Sequence, residues 1–431
     1  MGFGSLSRGA AFGALVTTLE ALTDSGESKI FPRGFYQKLR KLIANFAQRA
    51  EGLLEVRTAD IRATHGDDDE RTWWAKSLWM TCAEESGRLD VALALSHEVS
   101  SWAERHLGVR HRTTLEAWTY TASLTRAAGD VNAAIQASTS VFDALRAIYR
   151  QSTEEATTGE SAYEEIESHA AGLVGLLQED GRHGAAADVL RAIVLDREIQ
   201  LQQAPEDGPK HVRLKRHARF QLCLDKATWA RLLELAERAD EAETVYRQLL
   251  AEITPRAEEV DGGGLFRPIR LHANCCLNLS ILRKRAGAQN AEVAELLRAG
   301  LTSCRRATKT DHVSPIEHAA IARDLATVII ASQESATPCG SLAEAEGMLR
   351  EALPLCDGSA DSGGHGDDEE EEEMRMEASI HRQLAQVLRL LGRDDEAEDA
   401  EEAMHQLLLD LGVEEEDMSD VEEGDEGDEL R

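Results

Sequence analysis

Residues capable of chemistry are plentiful in this chain, but their spacing does not arm them. Seven cysteines stand at Cys82, Cys223, Cys275, Cys276, Cys304, Cys339 and Cys356. Their number is odd, they are scattered, and no pair has the C-x-x-C spacing, so neither a disulfide framework nor a zinc site is expected. Most fall on apolar helical faces and read as small buried hydrophobes in a reducing compartment. The 14 histidines show no metal-ligand spacing, and no H-E-x-x-H, G-x-S-x-G or G-x-x-x-x-G-K motif occurs. Gly262-Gly263-Gly264 runs into Leu265, Phe266 and Arg267 without a preceding strand, which argues against a phosphate loop. No catalytic residue, metal or cofactor is expected, and the chain reads as a non-enzyme.

The elements that would position any site are helical. Apolar residues make up 42% of the 431, aromatics only 4%, and there are 8 prolines. Ala and the unbranched long side chains lose little freedom in a helix, so this mixture suits helices. No alternating β-branched run is long enough to build a sheet. The formal charge is −32. That balance excludes whole-chain attraction to nucleic acid or anionic membrane and permits a basic partner. No run of 18 apolar residues occurs, so no membrane span is expected. Met1-Gly2-Phe3-Gly4-Ser5-Leu6 has Leu where a myristoylation signal needs Ser or Thr. The mildly apolar stretch Ala10 to Leu22 lacks a basic lead for a signal peptide. A cytoplasmic location is expected. The basic run Lys210 to Arg219 offers either a nuclear import signal or, as the simpler reading, the exposed face of a long helix.

One stretch organises the rest. Leu107 to Thr114 reads as a loop, Leu115 to Ala128 as a helix, Gly129-Asp130 as a break, and Val131 to Tyr149 as a second helix. The same break, followed by an Ala-rich helix, recurs. It stands at Gly87-Arg88-Leu89-Asp90-Val91-Ala92, 42 residues earlier, and at Gly181-Arg182-His183-Gly184-Ala185-Ala186. It returns at Glu237-Arg238-Ala239-Asp240-Glu241-Ala242 and at Gly392-Arg393-Asp394-Asp395-Glu396-Ala397. Two less regular hairpins run from His272 to Ala307 and from His318 to Leu353. A small residue after each break lets two helices approach closely. The expected organisation is a weakly ordered N-terminal segment 1–32, a capping helix and loop 33–70, and an array of about seven hairpins over 71–411 with an acidic insertion at 357–375. An acidic tail, 412–431, would follow. In the capping helix Leu39, Leu42, Ile43, Phe46, Ala47, Ala50, Leu53 and Leu54 fall at spacings of three and four, as one apolar face.

A glycine between two helices, with Ala at a fixed offset after it, resembles the tetratricopeptide repeat. Trp118, Ala122 and Ala134 stand at the pattern's Trp, small and Ala positions, and Ala92, Ala186, Ala242 and Ala397 match the last. The loop Leu107-Gly108-x-x-His111-x-x-Thr114-Leu115 and the 42-residue spacing look like the kinesin-light-chain variety of the repeat. The resemblance implies an all-α fold: a right-handed superhelical solenoid of antiparallel helix pairs. It implies that His111 packs in a helix-joining loop and hydrogen-bonds to backbone. It also implies a concave groove for a peptide or helix of another protein. Aligned on the repeat, Trp74, Tyr120, Arg126, Arg231, Asn274, Asn278, Lys284, Arg323, Arg382 and Arg389 would face that groove. The competing reading is that these aromatics are core and that these Arg and Asn side chains pair with neighbouring Glu and Asp. Asp367 to Glu373 and Glu414 to Glu429 are like-charge blocks expected to stay disordered. They raise the alternative of an acidic, chaperone-like adaptor for basic proteins such as histones.

Overall fold

The computed structural model describes residues 33–152, 159–203, 209–258, 268–307, 315–335, 337–356 and 367–413. The segment 1–32 and the acidic tail from 414 lie outside them. No strand occurs among the described residues. The chain forms two compact units, 1–189 and 190–431, each a succession of helices packed on their neighbours in sequence.

In the first unit a long helix, α1 (Arg33–His65), precedes the hairpin of α2 (Glu70–Glu85) and α3 (Leu89–Leu107). A second hairpin pairs α4 (Arg112–Ala127) with α5 (Val131–Ser152), and α6 (Gly159–Glu179) opens a third. The next helix, α7 (His183–Gln203), spans the boundary at 189. The second unit continues with α8 (Pro209–Leu235) and α9 (Ala239–Glu258), then α10 (Pro268–Arg285) and α11 (Asn290–Ala307). It ends with α12 (Pro315–Ser332) and α13 (Leu342–Cys356), then α14 (Asp367–Leu390) and α15 (Asp394–Asp410).

The turns inside the hairpins repeat to the atom. Gly129 takes φ +82°, its N–H donates to the carbonyl of Arg126, and the Asp130 N–H donates to that of Thr125. At Glu237 the same pair of bonds runs to Glu234 and Leu233, with φ +59° on a residue that has a Cβ. Five residues after each turn glycine or its stand-in sits an alanine with 0% exposure: Ala92, Ala134, Ala186, Ala242 and Ala397. A methyl group there sets the helix–helix distance. In the fifth hairpin the turn is one residue longer and Val293, 2% exposed, fills the place.

Two expectations need correction. The apolar face of α1 does not face the array as a whole. Phe46 is 61% exposed and Leu53 71%, while the buried line is Ala47, Glu51 and Thr58. Glu51 goes inward because the turn after α2 supplies partners: Ser86 Oγ donates to it at 2.8 Å and Arg88 pairs with it. The acidic run Asp367 to Glu373 is the first part of α14 rather than disordered chain. Carboxylates in a helix's opening turns are favoured by the unsatisfied N–H groups there, and Glu371 pairs with Arg375 one turn on at 2.6 Å.

Candidate interaction surface

In the second unit the first helices of successive hairpins lie side by side. Helix α12 packs on α14 and α8 on α10, and α10 meets α12 where Arg270 and Asn274 both donate to Glu317 Oε1, at 2.7 and 3.3 Å. They form one layer, and the second helices α9, α11, α13 and α15 form another.

The two layers differ in charge. Among the first-helix residues whose burial is described, the exposed charged ones are cations: Arg219 and Arg231 on α8, Arg270, Lys284 and Arg285 on α10, Arg375 and Arg389 on α14. Their carboxylates are half-buried and engaged, as Asp225 is by Arg197, Glu317 by Arg270 and Asp324 by Arg323. On the second helices the exposed charges are mainly acidic. Asp240, Glu241 and Glu252 lie on α9, Glu295 on α11, Glu351 on α13, and α15 adds Asp394, Asp395, Glu396, Glu398, Asp399, Glu402 and Asp410. The exposed arginines described there, Arg247, Arg305 and Arg350, are all ion-paired. The exposed charges described on this layer are thus cationic in a chain of charge −32.

Two closed ion-pair rings tie the second helices together. Glu243, Arg247, Glu292 and Arg283 form one, with contacts of 2.6, 3.3, 3.0 and 3.3 Å in that order round the ring. Glu346, Arg350, Glu396 and Arg393 form its counterpart two hairpins later. In each ring the arginine lowers the pKa of the carboxylate it grips, Glu292 by Arg283 and Glu396 by Arg393.

The ten residues proposed for the groove fall into both units. In the first unit, Trp74 is half-buried, donates to Glu70 at 3.3 Å and meets Trp73 edge-on at 4.6 Å. The Tyr120 hydroxyl donates to Glu84, and Arg126 pairs with Glu179 at 2.6 Å. In the second, Asn278 donates to the Tyr246 hydroxyl at 3.2 Å, and Arg389 pairs with Glu401 at 2.6 Å. Arg323 pairs with Asp324, Asn274 bonds Glu317 as above, and Arg382 is half-buried. Arg231 and Lys284, with Arg285, are exposed and make no ion pair among the described residues. Glu234 lies within the fields of Arg231 and Arg285, is half-buried, and accepts the Tyr246 hydroxyl; burial raises its pKa.

Sequence reasoning missed three arrangements. In the first unit Trp73, Trp102 and His106 stack in a column, with centroids 5.0 and 4.6 Å apart. Beside it a cleft of about 430 Å³ is lined by Trp73, Trp102, Arg62, Lys76, Arg105 and others. Its cations are already neutralised: Arg62 and Lys76 by Asp67, Lys76 also by Glu98, and Arg105 by Asp68. In the second unit Lys226, 5% exposed, bridges Glu198 on α7 and Glu252 on α9 at 2.9 and 2.6 Å. Charged pairs such as Asp225-Lys226 inside apolar runs were the only sequence signal. Third, His272 Nδ1 lies 3.0 Å from Ser303 Oγ and 3.7 Å from Cys276 Sγ. This trio has the composition of a nucleophile and its base, but burial pushes the Cys276 thiol up to about 12, so it stays protonated. Six of the seven cysteines are buried and all are free. His111 is the N-cap of α4, its Nδ1 accepting the Thr113 N–H at 3.2 Å, and it is exposed rather than packed.

The repeated turn, the alanine five residues beyond it and the side-by-side first helices occur together in hairpin after hairpin. The described helices form an all-helical array of hairpins that resembles the tetratricopeptide repeat in fold. No protein-family model matches this array and no curated protein does. Solved structures similar to it include a Podosopora anserina kinesin-light-chain protein of nearly identical TPR-like repeats, 17% identical over 52% of this chain and 95% of that one, TM-score 0.32. BtubC from P. vanneervenii is 14% identical over 66% and 93%, TM-score 0.42. The assembly chaperone of RpL4, residues 1–338, is 16% identical over 74% and 96%, TM-score 0.35. No described helix of the array is long and apolar enough to cross a membrane.

Proposed function

We propose that this tetratricopeptide-like array is a non-enzymatic scaffold or adaptor, holding a peptide or helix of another protein on its first-helix face. The observation that carries the reading is the cationic character of that face in a strongly acidic chain, with Arg231, Lys284 and Arg285 exposed and unpaired among the described residues. Arginine presents a planar fork of donors that suits carboxylates, and lysine a point charge. Asn278 and Asn274, half-buried on the same helix as Lys284 and Arg285, suit peptide backbone. Stacked hairpins bury their apolar sides on each other and leave a long surface for partners. Affinity purification with mass spectrometry identifies the partner. Arg231→Glu with Lys284→Glu then tests the face: retained partners at wild-type yield would refute the assignment.

A second reading, an acidic chaperone-like adaptor for basic proteins such as histones, is supported by the exposed carboxylates of α15. It predicts that neutralising Asp394, Asp395, Glu398 and Asp399 releases the partner. The first reading predicts that it does not.

A further inference from the structure

We propose that the chain's own acidic tail, Glu414 to Glu429, occupies the cationic row of Arg231, Lys284 and Arg285 and competes there with any partner. The inference shares with the proposed function the premise that the first-helix face is the binding face. The chemistry is complementary. The tail carries eleven carboxylates and no cation before Arg431, and the row offers three exposed cations on the adjoining C-terminal parts of α8 and α10.

Geometry permits the contact. The described chain ends at Val413, just beyond α15. Eighteen further residues, extended at about 3.3 Å each, reach roughly 60 Å. The row lies two to three hairpins back. At about 10 Å between packed helices that is roughly 20–30 Å sideways. A helix the length of α14 adds at most about 36 Å along the first helices. The combined path is about 45 Å, inside the tail's reach. Tethering of this kind gives an effective concentration in the millimolar range, so modest electrostatic attraction suffices.

The remaining surface directs the tail the same way. The exposed carboxylates of α15 and α9 repel an acidic segment from the second-helix layer. The cations of that layer are already held by Glu243, Glu292, Glu346, Glu351 and Glu396. Of the second unit's exposed cations that make no ion pair among the described residues, Arg219, Arg231, Lys284 and Arg285 lie on first helices and Arg191 on α7.

Zero-length carbodiimide cross-linking of the full-length chain tests this directly, because it joins a lysine amine to a carboxylate in contact. The expected product is a monomer in which Lys284 is linked to the 414–429 segment. The link should be lost on Arg231→Glu with Arg285→Glu, which keeps Lys284 as the reporter, and lost again in high salt. Equal linking of the tail to Lys38, Lys41 or Lys76 overturns the proposal. So does a Lys284 link that survives the two reversals, or one found only in cross-linked dimers. Replacing the tail carboxylates by their amides should raise partner capture several-fold. If the link is absent but the two reversals still abolish capture, the tail proposal fails and the face assignment stands. If the link is present but capture ignores the reversals, the tail occupies the row and the face assignment fails.

Discussion

Glu237 stands where its counterparts Gly87, Gly129, Gly181 and Gly392 have φ between +70° and +82°, and it is held at +59° itself. Glu237→Gly and Gly129→Ala are therefore opposite experiments on one turn. The two turn hydrogen bonds at each site involve backbone only, at 2.8–2.9 Å, so neither substitution removes them. A Cβ added at Gly129 meets nothing within 4 Å, which isolates the backbone effect from packing. Left-handed backbone costs an L-residue about 1–2 kcal/mol. Glycine's freedom in the unfolded chain offsets about 0.4–1 kcal/mol of that. The net expectation is a gain of about 0.5–1 kcal/mol for Glu237→Gly and a loss of similar size for Gly129→Ala. Urea unfolding of the full chain by circular dichroism, with the m-value as a check on cooperativity, measures both. Effects of the same sign, or a destabilised Glu237→Gly, would refute the claim that these turns share one geometry and one strain.

Three further outcomes are expected. Ala242→Leu forces branched carbons into the closest approach of α8 and α9 and should cost about 1–3 kcal/mol, against under about 0.5 for exposed Ala251→Leu, by the same unfolding assay. Lys226→Met strands Glu198 and Glu252, which are 36% and 40% exposed. Solvent therefore softens the penalty of a broken buried pair to about 1–2 kcal/mol. His318 is 3% exposed, and neither ring nitrogen has a hydrogen-bond partner among the described residues. Burial, opposed by Glu351 at 3.7 Å and reinforced by Arg305, lowers its pKa below 6.5. Between the lowered value and 6.5 the unfolded chain binds more protons, so this contribution is complete above pH 6.5 and is lost as pH falls. His318→Leu should flatten the stability-against-pH slope between pH 7 and 5; an unchanged slope would show that the ring is not kept neutral.

The repeat was legible because its marks are local. A positive-φ turn demands glycine, and a tight helix approach demands alanine five residues on, so Gly129 and Ala134 announce a hairpin without any knowledge of what packs on it. Even Glu237 kept its place through Ala242. The burial of Glu51 was not legible, because it depends on Ser86 and Arg88 arriving from another turn. The same holds for Lys226, whose partners come from two other helices. Of the candidate surface, the sequence pointed to Arg231, Lys284 and Asn278 by alignment, but not to Arg285. It did not distinguish them from Arg126 or Arg389, which are paired. The charge difference between the layers emerges only once half-buried carboxylates such as Asp324 and Glu317 are separated from exposed ones.

The central claim is that the first-helix face does the binding. Quantitative affinity capture compares the wild-type chain with Arg231→Glu, Lys284→Glu and Arg285→Glu combined, and with Asp240→Lys and Glu241→Lys on the second-helix face. The first set should lose the wild-type partners and the second should keep them. Loss from the second set with retention in the first would contradict it.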